Sequence, residues 1–214
     1  MKNSGATEDG EYLLHISKNC KDPVKIFCHG LSGNEPKEYL TLQTGVDRNY
    51  AIMYDRRLPT SPVEARFQCD GPTSRNLYSR FGRTYFSKLR LNVNELSVVP
   101  DDYQFADTLP GGTNVPYGTA GDCFSMNPGS CRKGSFSVDL RDTELRVRDE
   151  VKWKNQGYPS DIQMQEFTVR EAGFVITAKC GGWCGRCSPT GPLTLKHVCA
   201  IPESKLLLLF VCLW

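Results

Sequence analysis

Lys88-Leu89-Arg90-Leu91-Asn92-Val93 places an aliphatic side chain at every second position and a charged or polar one between. Successive side chains of an extended strand point to opposite faces, so this stretch buries Leu89, Leu91 and Val93 and turns Lys88, Arg90 and Asn92 to solvent. The same period runs through most of the chain. Tyr12, Leu14 and Ile16 form one apolar face, and Val24, Ile26 and Cys28 another after Pro23. Phe136, Val138 and Leu140 alternate with Ser135, Ser137 and Asp139. Leu145, Val147, Val151 and Trp153 share one parity, with Asp149 interrupting, and Phe174, Ile176 and Ala178 lead into Cys180. Turn residues such as Gly111-Gly112 and Pro128-Gly129 separate the runs. No stretch repeats apolar positions with helical spacing. The expectation is an all-β protein of about ten short strands in antiparallel sheets packed face to face, with little helix.

At 214 residues the chain is long enough for a substantial core in one domain or two small ones. An octapeptide echo, Leu91–Val98 against Leu140–Val147, is identical at four of eight positions and hints at two halves. Their seam would fall near residues 100–119, a Gly-, Pro- and Asp-rich stretch that reads as a long surface loop. Lys and Arg total 26 against 24 Asp and Glu, a formal charge of +2, which gives no broad electrostatic argument for nucleic acid or an anionic membrane. The one strongly apolar run, Leu206–Trp214, has nine residues where a membrane-spanning helix needs about 20. It reads as a buried terminal strand or as a spurious end of the reading frame.

Ten cysteines favour an oxidising compartment in which sulfurs pair. The N-terminus, however, has no apolar signal-peptide run, and no Asn-X-Ser/Thr acceptor occurs. A secretory reading therefore requires that the chain be part of a longer precursor. Cys180-Gly-Gly-Trp-Cys184-Gly-Arg-Cys187 sets three sulfurs within eight residues on a glycine-loosened backbone. Disulfide bonding is one reading. The alternative is a zinc site of Cys180, Cys184 and Cys187 with His197 or Cys199 as fourth ligand. The iron–sulfur spacing C-x3-C-x2-C is set aside because Arg186 stands where that motif wants an aromatic residue. Cys20/Cys28 and Cys123/Cys131 each enclose seven residues with a proline, which suggests two hairpin staples, while Cys69 needs a distant partner or stays free.

Enzymatic constellations are weak. His15, His29 and His197 occur in no H-E-x-x-H, and His29-Gly-Leu-Ser-Gly33 lacks the spacing of a nucleophile elbow. Asp122, in Thr119-Ala-Gly-Asp-Cys123, reads as a turn aspartate capping backbone N–H groups. Arg75, Arg80, Arg83, Lys88 and Arg90 interleave with Tyr78, Phe81, Tyr85 and Phe86, a pattern suited to a glycosaminoglycan or protein contact, although a plain solvated strand face is the preferred reading.

Several blocks together resemble the GON module, the C-terminal domain of a subset of the ADAMTS secreted zinc metalloproteases. They are Asp9-Gly-Glu-Tyr12, Pro36-Lys-Glu-Tyr-Leu-Thr-Leu42, Asp102-Tyr-Gln-Phe-Ala106, Val115-Pro-Tyr-Gly-Thr-Ala-Gly-Asp-Cys123, Gly134-Ser-Phe-Ser-Val-Asp-Leu140 and the Cys180–Cys187 cluster. They place the module at residues 9–189, after a disordered 1–8 and before an unmatched tail, 190–214. Cys199 and Cys212 then fall outside the cysteine framework, leaving Cys20, Cys28, Cys69, Cys123, Cys131, Cys180, Cys184 and Cys187 as disulfide candidates. Around Cys69 this chain has fewer cysteines than the family pattern. The resemblance implies an extracellular, non-catalytic module that binds matrix or a cell-surface protein or glycan, or directs trafficking. Its protease domains would lie upstream in cis. Zinc and peptide-bond cleavage would belong to that upstream part, with no cofactor, nucleic acid or membrane span in this chain.

Overall fold

The computed structural model describes residues 7–16, 20–45, 47–54, 81–110, 112–122, 134–156, 165–180 and 185–199. Its strands are β1 (Gly10–Leu14), β2 (Val24–His29), β3 (Lys37–Thr41), β4 (Tyr50–Tyr54), β5 (Phe81–Phe86), β6 (Lys88–Asn92), β7 (Ser97–Val98) and β8 (Ala106–Thr108). They continue with β9 (Ala120–Asp122), β10 (Gly134–Asp139), β11 (Leu145–Val147), β12 (Trp153–Gln156), β13 (Gln165–Arg170), β14 (Val175–Cys180), β15 (Gly185–Pro189) and β16 (Leu195–His197). A 3-10 turn at Glu171–Gly173 is the only helical element among the described residues. The protein is all-β, with more and shorter strands than the alternation alone separates.

The first sheet has the order β1-β2-β3-β6-β7. The second runs β12-β15-β9-β4-β10-β14-β13, with β5 also paired to β4 and β8 to β5, and β11 pairs with β16 alone. Pairings are antiparallel except β4 with β9. Val24, Ile26, Leu89 and Leu91 from the first sheet meet Phe136, Val138, Ile176 and Ala178 from the second in one continuous core. Each side chain of this size contributes roughly 1.5–3 kcal/mol on full burial, so the shared core explains why the two sheets stay together.

Four expectations need correction. Residues 100–119 are not a free loop: Val115 and Tyr117 are buried, Ala106–Thr108 is a strand, and exposure concentrates around Leu109–Asn114. Apolar side chains at 115 and 117 outweigh the Gly and Pro content there. Asp122 lies in β9, paired across Gly185, rather than in a tight turn. The shared parity from Leu145 to Trp153 is two strands, broken at a turn through Asp149 and Glu150. Cys20 bridges to Cys199, 179 residues away, and not to Cys28. After Pro23 the chain extends straight into β2 instead of turning back, which carries Cys28 away along the strand to a buried position opposite Gly10. Cys199 therefore belongs to the cysteine framework. Leu193 and Leu195 are also core residues, so residues 190–199 pack with the rest. The suggested Cys123–Cys131 pair, with Cys69, Cys184 and Cys212, lies outside the described residues.

Candidate functional site

Cys180 closes on Cys187, seven residues on, and both are buried. β14 delivers Cys180 and β15 brings Cys187 back, so the bridge ties the two strands around the intervening glycine-rich segment. With these two sulfurs bonded to each other, the three-thiolate zinc set of Cys180, Cys184 and Cys187 cannot form. Among the described residues no group of three or more His, Cys, Asp or Glu could hold a metal ion.

The basic run divides between the sheets. Arg75 and Arg80 lie outside the described residues. Arg83, on β5, sets its guanidinium 5.1 Å from the Tyr85 ring centre and 6.0 Å from that of Tyr50. At Ser87 the chain leaves the second sheet, and Lys88 and Arg90 appear on the outer face of the first. There the register places Glu11, Phe27, Tyr39 and Arg90 in one cross-strand row, with Thr41 opposite Lys88. Lys88 Nζ donates to Thr41 Oγ1 at 2.8 Å, lies 3.6 Å from Glu11 and sits 4.4 Å above the Phe27 ring. Arg90 and Lys37 both face Asp102, at 3.4 and 3.9 Å. Phe105 packs edge-on to Phe27, His29 and Tyr39. Burial, then the Asp102 charge, push the Tyr39 hydroxyl up to about 12, so it remains a donor to Asp102. Lys88 is offset by Glu11, while Arg90 and Lys37 share Asp102, so two acids among these three cations reduce the net field left for a polyanion.

Asp9 and His29 form a carboxylate–imidazole contact at 2.7 Å on the same face. Backbone N–H groups of Gly30 and Leu31, and then His29, hold the Asp9 carboxyl below its ordinary value. The Tyr39 hydroxyl on this face is directed to Asp102 rather than to the pair. His15 is exposed.

An apolar cleft opens elsewhere, between the two ends of the second sheet. It has a volume of about 240 Å³ and is lined by Val151 and Trp153 on one side and Phe167, Val169 and Ile176 on the other. Trp153 stacks on Phe136 at 5.9 Å, approaches Phe167 at 5.7 Å, and anchors its indole N–H on Gly118 O. Phe167 and Val169 remain 36% and 55% exposed, on a strand whose outer edge is unpaired among the described residues. The acids near the rim are paired, Asp149 with Arg146 and Lys196, and Glu166 with Lys179. Lys152 and Arg170 are exposed and have no ion pair among the described residues. Sequence reading missed this cleft. Its one signal was the Phe167, Val169 alternation, which has no core side to mark it.

Charge pairing also sets the acid behaviour. Hydrogen bonds from Lys196 and then Arg146 hold Asp149 down at about 2. Burial raises the Asp139 carboxyl, but the hydrogen bonds and charge of Arg141 outweigh it and the net shift is downward. A carboxylate depressed in the folded state adds stability that is present above its unfolded value, about 3.9, and is lost as pH falls through the folded one. The melting temperature should therefore drop steeply between about pH 4 and pH 2. Asp139→Asn should lower it at neutral pH and flatten that acid slope, as thermal scans across pH will show.

Fold and site define a disulfide-braced all-β module. The GON domain family matches residues 1–197, wider than the 9–189 drawn from the motifs, and the chain belongs to that family. It is 33% identical over 190 residues to human "A disintegrin and metalloproteinase with thrombospondin motifs 20", covering 85% of this chain and 9% of that protein. It is 32% identical over 185 residues to Caenorhabditis elegans "A disintegrin and metalloproteinase with thrombospondin motifs gon-1", covering 85% of this chain and 8% of that protein. The chain thus spans about a tenth of the length of the relatives it matches. No solved structure matches it.

Proposed function

We propose that the chain is a non-catalytic recognition module of an extracellular ADAMTS-type metalloproteinase, positioning or routing the protease by binding a matrix or cell-surface protein. The observation that carries this reading is the cleft between β12 and β13, where Phe167 and Val169 stand exposed beside a strand edge that is unpaired among the described residues. Exposed aromatic and aliphatic side chains around a preformed cleft are the usual anchors of protein contacts. An open edge adds main-chain donors and acceptors to such a contact. Lys152 and Arg170 would favour an acidic partner segment at the rim. On the first sheet the paired state of Lys88 and Arg90 argues for a protein partner over a sulfated glycan. The zinc and the bond-cleaving residues of the relatives would lie in other parts of those proteins, since this chain holds no H-E-x-x-H.

Binding of the purified chain to cell-deposited matrix and to immobilised heparin tests the reading. Phe167→Ser with Val169→Ser should weaken matrix binding at least about tenfold, because two apolar anchors are removed from an exposed site without opening the core. Lys88→Ala with Arg90→Ala should change it less than about threefold. Matrix binding that survives the first pair and is lost with the second would overturn the assignment of the cleft.

A further inference from the structure

We propose that the Cys20–Cys199 bridge is a thiol-exchange site at which an external thiol takes up Cys199 as a mixed disulfide while Cys20 departs as a thiolate held by His197. Three observations converge. The two residues differ in exposure: Cys199 is exposed, whereas Cys20 is 5% exposed. His197 Nε2 lies 3.7 Å from Cys20 Sγ, and a bridged sulfur can only accept, so the ring presents its Nε2–H to that sulfur. The other ring nitrogen, Nδ1, is buried with no hydrogen-bond partner among the described residues, so no described group competes to turn the ring away.

Thiol–disulfide exchange requires an attacking thiolate with a clear approach to one sulfur and a leaving sulfur whose negative charge is stabilised. The two requirements fall on different sulfurs here. The incoming thiolate bonds to Cys199 Sγ, and the Cys20–Cys199 bond breaks with its electron pair on Cys20 Sγ. That thiolate then accepts the His197 N–H bond, which becomes charge-assisted. One disulfide replaces another, so no net oxidant or reductant is consumed. A second thiol on the attacking molecule would complete the exchange and release both cysteines.

The surroundings keep the fold in place when the bridge opens. β16 is paired to β11 through Leu145–His197 and Val147–Leu195. Leu195 N also donates to Leu96 O, Val98 N to Leu193 O, and Val198 N to Glu144 O. These bonds hold the C-terminal segment without the sulfur link. The second bridge supplies an internal comparison, because Cys180 and Cys187 are 0% and 1% exposed.

The full chain, incubated with glutathione under native conditions, then alkylated and mapped by peptide mass spectrometry, tests the site. Glutathione should appear on Cys199 and the alkyl group on Cys20, while Cys180–Cys187 opens at least about tenfold more slowly. His197→Phe should slow the opening about threefold to tenfold with unchanged circular dichroism, and His197→Gln, which keeps an N–H donor, should recover part of the rate. Glutathione chiefly on Cys20, equal opening of both bridges, or a His197→Phe rate equal to wild type would each overturn the proposal. The first two readouts use the unmodified chain, so they decide even if the His197 variants fail to fold.

Discussion

Asn49→Asp should destabilise the chain by about 4 kcal/mol or more, a large share of the roughly 5–15 kcal/mol that holds an ordinary domain folded. Asn49 is fully buried, and every polar atom of its side chain has a partner. Nδ2 donates to Gln43 O at 3.1 Å and to Asp139 O at 2.9 Å. Oδ1 accepts from Asp139 N at 2.9 Å and from the Tyr117 hydroxyl at 2.5 Å. A carboxylate of the same shape keeps the two accepted bonds but turns an acceptor toward two carbonyl oxygens. It must then carry an unsolvated charge or take a proton at a cost. Asn49→Ala should also be severe, about 3 kcal/mol, since it orphans Tyr117 Oη, Asp139 N and Asp139 O in a place water does not reach. Position 49 has φ of 49°, a conformation that asparagine tolerates better than most residues, so no other side chain fits both backbone and network. Denaturant titration checks this. A loss below 1 kcal/mol for Asn49→Asp would show that the network is dispensable.

That network marks the limit of what the sequence reveals. In β2 and β6 the alternation was legible because each strand buries one face, so Val24, Ile26, Leu89 and Leu91 stand out against Lys25 and Arg90. In β10 the same reasoning assigns Ser137 and Asp139 to solvent, yet both are buried. The partner that makes burial of the Asp139 backbone tolerable, Asn49, lies 90 positions away, and no local pattern announces it. The basic run divides between the sheets for a related reason. Arg83 and Tyr85 alternate on β5, the parity switches at Ser87 where the chain changes sheets, and Lys88 and Arg90 alternate on β6, so residues grouped by composition lie on two sheets. The Cys20–Cys199 pairing was equally hidden, because loop-closing distance in space leaves no trace in spacing along the chain. Family membership was the most legible feature, carried by short blocks dense in glycine and aromatic residues.

Two of those blocks meet in space, and there the second large effect is expected. Gly134 opens β10 in Gly134-Ser-Phe-Ser-Val, and Gly121 is the central residue of β9 in Thr119-Ala-Gly-Asp-Cys123. A Cβ placed on Gly134 would lie 2.4 Å from Gly121 O, 2.5 Å from its carbonyl carbon and 2.6 Å from its nitrogen. All three are backbone atoms of a paired strand, so no rotamer change relieves the overlap. One strand must shift, disturbing the β9–β15 and β10–β14 ladders together. Gly134→Ala should therefore cost roughly 3 kcal/mol or more, at the upper end of overpacking effects. Gly191→Ala, where nothing lies within 4 Å of the new atom, should stay within about 0.5 kcal/mol of wild type. Denaturant titration of the two variants separates this steric cause from a general intolerance of glycine replacement. If Gly134→Ala were as stable as Gly191→Ala, the close approach of the two strands would be wrong. If the loss appears, the glycines in these two motifs specify how the second sheet packs on itself, and the family signature records a folding constraint.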